Sequence, residues 1–128
     1  MLAEAYLRGT KADETKAKYY INELRSKHVH ADDGTYKTVD DLISEYPDRF
    51  KSVIDVLWYE RRCELAGEGD RWFDLVRTGR AEEVMMPILR SLYGINSWDK
   101  KFNYLPIGSI EISNSGGSLT EYPDEAFE

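Results

Sequence analysis

The sequence predicts a mainly all-α fold, a single unit over residues 1–128 with a helix hairpin at its start and a loop-rich tail carrying short extended segments. Three observations carry that expectation. Apolar residues recur at helical spacing between Leu2 and Tyr93, glycine and proline punctuate those runs at helix-length intervals, and the periodicity changes from Lys100 onward. A chain of 128 residues suffices for one domain with a modest core.

Leu2, Ala5 and Tyr6 fall on one face of a first helix, and Gly9 is placed to end it in the left-handed conformation. Ala17, Tyr20, Ile21, Leu24 and His28 then follow the i, i+3, i+4, i+7, i+11 pattern of a second helix. Ala5 and Ala17, with Ile21 one turn beyond, loosely resemble the small-residue positions of a tetratricopeptide-like hairpin, where close helix approach requires a missing side chain. Such hairpins are stable when stacked on neighbours, so this one calls for partner helices.

Residues 30–36, HADDGTY, form a polar linker, and Thr38 with Asp41 three residues on is a capping-box variant that opens a third helix through Leu42 and Ile43, ended by Pro47. Asp48 is the expected N-cap of the longest helix, with Phe50, Val53, Ile54, Leu57 and Leu65 in register and Gly67 as its stop. Arg71 to Arg77 is a shorter helix with Trp72, Phe73, Leu75 and Val76 as its apolar content, ended by Gly79. Another runs from Val84 to Tyr93, with Pro87 in its first turn or kinking it, and Gly94 closes the helical region. Beyond it, Leu105, Ile107, Ile110 and Ile112 are separated by Pro106 and Gly108 and predict short extended pieces, while SNSGGS at 113–118 is a loop.

Composition excludes several functions. Hydrophobic residues make up 41% and charged residues 32%, and no apolar run reaches the roughly eighteen residues of a membrane span. A net charge of −7 argues against nucleic acid as a partner, because duplex affinity comes from Lys and Arg neutralising phosphates. The single cysteine, Cys63, cannot make an internal disulfide. No secretory signal is visible, and Met1 opens straight into helix-like sequence, which leads to the expectation that the chain is cut from a longer protein.

The stretch WYERRCELAGEGDRWFDLVRTGRA, Trp58 to Ala81, interrupts the apolar stripe with charge. Counting about 100° per residue from Phe50, Arg61 and Glu64 fall on the buried face while Tyr59 and Cys63 point away. Buried charge is tolerated only when paired, so the spacing predicts an ionic knot joining Arg61 and Glu64 to Glu68, Arg71, Asp74 and Arg77.

The pattern E-R-R-x-E-L-x-x-E-G-x-R-W-F-D-L-x-R-x-G, Glu60 to Gly79, resembles the C-terminal signature of the SusD/RagB family. LAEAYLRG followed by YINELRSKH resembles that family's upstream helix pair, and NYLPIGSIEIS resembles its closing LPIP-x-x-E-I segment. Departures fall at Gly67, at Gly108 in place of the second proline, and in the ending LTEYPDEAFE. The resemblance implies a SusD-like helical fold with tetratricopeptide-like pairs, of which this chain is the C-terminal part. It further implies a Bacteroidetes lipoprotein of the outer-membrane surface that captures nutrients, typically oligosaccharide, for a SusC-type TonB-dependent transporter. Membrane association would run only through an N-terminal lipid anchor absent from this chain, and no binding residue carries over from the family.

Other constellations are weighed against plain structural roles. Cys63 with His28 and His30 lacks any thiol-protease motif, and a packed thiol is the preferred reading. His28, His30, Asp32 and Asp33 lack a defined metal geometry, and setting Gly34 on the glycine of a calcium loop puts Val29 and Ala31 where acidic ligands belong. Glu64 and Glu68 resemble a glycosidase carboxylate pair but are assigned to the ionic knot, and Gly67-Glu68-Gly69 lacks the third glycine of a phosphate loop. No enzyme activity, cofactor or metal is therefore expected. Trp98 and Tyr93 flank GINS in a polar stretch; core packing is their preferred role, and they are named as the candidate carbohydrate-binding residues of this segment. The alternative to a nutrient-binding protein is a small stand-alone tetratricopeptide-like module that binds a protein or peptide.

Overall fold

A computed structural model of the chain describes residues 2–28, 34–104 and 107–120. Among them are seven α-helices, one 3-10 turn and no strand: α1 (Leu2–Arg8), α2 (Glu14–His28), α3 (Val39–Glu45), α4 (Val53–Glu64), α5 (Arg71–Arg77), α6 (Ala81–Tyr93), the 3-10 turn Lys100–Asn103, and α7 (Ser109–Asn114). The chain divides into two compact units, Met1–Gly69 and Asp70–Glu128.

In the first unit α1 and α2 form the expected hairpin, and α3 and α4 pack onto it. Its face differs by one position from the sequence reading. Ala3 and Glu4 are buried in α1, whereas Leu2 and Ala5 are exposed. Gly9 is not left-handed. A Cβ there would stand 2.4 Å from the Ala5 carbonyl oxygen, which accepts a hydrogen bond from the Gly9 amide, so close approach is what requires glycine. Along α2, Ala17 and Ile21 are buried as the periodicity requires, and Tyr20 stacks on Tyr6 of α1 with ring centroids 5.7 Å apart. Ala17 is fully enclosed. Ala17→Leu is therefore expected to destabilise the chain by about 1–3 kcal/mol through overpacking, read from the urea midpoint, and an unchanged midpoint would mean that α1 and α2 are not held this closely.

The capping box of α3 forms as read: the Asp41 amide donates to Thr38 Oγ1 at 3.2 Å, and the Thr38 amide donates to Asp41 Oδ2 at 2.8 Å. The Thr38 contacts hold the Asp41 carboxyl below its ordinary value. The Val39 amide finds Asn22 Oδ1 of α2 at 2.9 Å, which docks the start of α3 on the hairpin.

The N-cap of α4 is Ser52 rather than Asp48, and with 12 residues the helix is shorter than α2 with 15. Asp55 determines the start by accepting from the Lys51 amide and the Ser52 hydroxyl through one carboxylate oxygen. Phe50 is buried but lies outside the helix, where the Arg49 guanidinium spans its ring and that of Tyr59. Counting the helical phase from Phe50 therefore misplaced the face. Val53, Val56, Leu57, Trp58 and Glu60 are buried, Tyr59 is half-buried against the core, and Glu64 is exposed.

In the second unit α5 has the predicted bounds, and α6 packs against it. Gly79, at φ +70°, closes α5 in a Schellman arrangement: its amide donates to Val76 O at 3.0 Å and the Arg80 amide donates to Leu75 O at 2.8 Å. Helix α6 starts at Ala81, three residues before Val84, so Pro87 lies inside it. The carbonyl that the proline ring leaves without a donor belongs to Glu83, an exposed residue, where water can substitute. The extended pieces expected after Lys100 are corrected: Ile110 and Ile112 lie in α7, whose first turn closes through the Ile112 amide on Gly108 O. A lone strand has no ladder to satisfy its backbone, whereas a helical turn satisfies it locally. Leu105, Pro106 and the ending from Glu121 lie outside the described residues.

Candidate functional site

Two groupings of side chains stand out, one in each unit. In the first, Arg25 of α2 and Glu60 of α4 form an ion pair buried on both sides. Arg25 Nε also donates to the Lys37 carbonyl at 2.6 Å, so this guanidinium joins α2, α4 and the approach to α3. Next to Glu60 in sequence, Arg61 stands 3.7 Å from Glu4 of α1, whose other oxygen pairs with Arg8 at 3.2 Å. Arg8 in turn lies over the Trp58 ring.

These contacts revise the ionic knot. On α4 the buried carboxylate is Glu60 rather than Glu64, its partner Arg25 comes from outside the signature, and Glu64 and Glu68 are both exposed. Asp74 is buried and pairs with Arg77 one helical turn away at 2.7 Å. The sequence reading missed Arg25 because it sits on a helix assigned by its apolar residues alone. Its spacing four residues after the buried Ile21 was the available signal.

Burial pushes the Glu60 carboxyl up, against the opposing attraction of Arg25, and Glu64 adds to the rise. The folded state therefore holds this proton more firmly than the unfolded chain does. The contribution of Glu60 to stability is fully present below the ordinary carboxylate value and is lost as pH rises through the folded one. Glu60→Gln is expected to remove that component, seen as a flatter fall in unfolding free energy than in the parent chain as pH rises above the ordinary carboxylate value. Parallel profiles would refute the assignment.

In the second unit Trp98 packs on two other rings. Trp72 is 6.3 Å away and tilted by 36°, and Phe102 meets it edge-on at 5.3 Å. Asp99 orders this corner by accepting from the Lys101 amide at 2.9 Å, which opens the 3-10 turn that carries Phe102. Trp98 and Trp72 are half-buried and Phe102 is exposed, so the cluster is partly open to solvent. Tyr93, at the end of α6, is 71% exposed, and among the described residues no ring packs on it. Of the two carbohydrate-binding candidates, then, Trp98 belongs to an aromatic cluster and Tyr93 does not. Trp72 and Phe102, its partners, were not singled out: Trp72 read as helix content, and Phe102 fell where the helical pattern had stopped.

Cys63 is exposed on the last turn of α4 rather than packed, and His28 is exposed at the end of α2. His30, Asp32 and Asp33 lie outside the described residues. Among the described residues no three His, Cys, Asp or Glu side chains are grouped as metal ligands, and no helix is long and apolar enough to cross a membrane.

Comparison with known proteins gives these features a family. The chain is 62% identical over 34 residues to the SusD-like protein P38 of Formosa agariphila, a match that takes in 27% of this chain and 7% of that protein. The chain thus aligns with a small part of that relative's length. No solved structure matches it. The model of the SusD family matches residues 1–123, both helical units included, and on that extent this chain belongs to the SusD family.

Proposed function

We propose that the protein carrying this segment is a non-catalytic, nutrient-binding component of a bacterial outer membrane. It captures oligosaccharide at the cell surface, where a lipid anchor holds it, and delivers the ligand to a SusC-type TonB-dependent transporter. The match to the SusD family over residues 1–123 is the observation that carries this reading. The 128 residues act mainly as scaffold, with Arg25, Glu60, Glu4 and Arg61 holding the helices of the first unit together.

The assignment is tested by an immunoblot of membrane and soluble fractions from cells that express the gene. A membrane-bound band several times heavier than 14.8 kDa is expected. A soluble band at that mass would overturn it in favour of a free-standing helical module that binds a protein or peptide.

Within this segment Trp98 is the residue proposed to meet the sugar, with Tyr93 as a second and more peripheral contact. An apolar ring half open to water suits the C–H face of a pyranose, and the edge-on Phe102 and tilted Trp72 keep that ring in place. Trp98→Ala in the full-length protein is expected to weaken oligosaccharide binding at least tenfold, about 1.4 kcal/mol, by titration calorimetry. Unchanged affinity, with the circular dichroism also unchanged, would remove Trp98 from the site and return it to packing.

A further inference from the structure

We draw no further inference here: the strongest candidate, the apolar face of α6 formed by Val84, Met85, Ile88, Leu89 and Leu92, leaves Ile88 and Leu92 exposed, and nothing in the structure shows what covers it.

Discussion

Arg25→Ala is expected to destabilise the chain by about 3–5 kcal/mol, measured as the change in unfolding free energy by urea denaturation at neutral pH. The substitution leaves the Glu60 carboxylate buried without its counter-charge and takes the Nε donor from the Lys37 carbonyl. Domains of this size are stable by only about 5–15 kcal/mol, so the loss is a large fraction of the total. It does not follow that the pair is a strong net contributor to the fold. Taking two charges out of water costs nearly what their attraction returns, and apolar replacements of similar volume are often neutral or stabilising. Replacing Arg25 by Met and Glu60 by Leu together is accordingly expected to restore most of the stability lost by either single change. A single-variant loss below about 1 kcal/mol would place the pair with exposed ion pairs and refute its burial.

Leu75→Ala is expected to cost about 2–5 kcal/mol in the same assay, while Phe73→Ala, two residues away on the same helix, is expected to change stability by no more than about 0.5 kcal/mol. Both residues belong to the R-W-F-D-L stretch of the signature, but Leu75 is 1% exposed and Phe73 is 61% exposed. Removing buried methyl groups costs their transfer free energy and leaves a cavity, whereas truncating an exposed ring removes little contact. Equal losses at the two positions would mean that the face of α5 has been misassigned. A large loss at Phe73 alone, seen only in the full-length protein, would mean that this ring is covered there.

The local signals in the sequence translated well. The Thr38–Asp41 box started α3 where it was expected, and the bounds of α5 followed from its apolar content and from Gly79. The buried Ala17 and Ile21 followed from helical spacing. Each depends on residues within one or two turns of chain, so the side chains that decide the outcome stand next to one another in the sequence. The α4 start failed for the converse reason. Asp48 and Ser52 are both acceptable N-caps by type, and the choice fell to Asp55 binding back to Lys51 and Ser52. In the tail, Ile110 and Ile112 alternate as a strand would, but with no partner strand among the described residues the backbone closes on itself as α7.

The candidate site divides along the same line. Trp98 was singled out because it stood apart from any apolar periodicity, and its surroundings of Trp72 and Phe102 were not legible, since 25 residues of chain separate Trp72 from Trp98 in the signature's wake. By itself the sequence determined the helical class, the resemblance that the family match later supported, and the need for buried charge to be paired. Only the tertiary structure decided which charge is buried and what pairs with it. Glu60 and Arg25 are 35 residues apart, and no local rule ranks Glu60 above Glu64. The phase at which α4 meets α1 and α2 makes that choice, because it takes one carboxylate out of water and leaves the other in it.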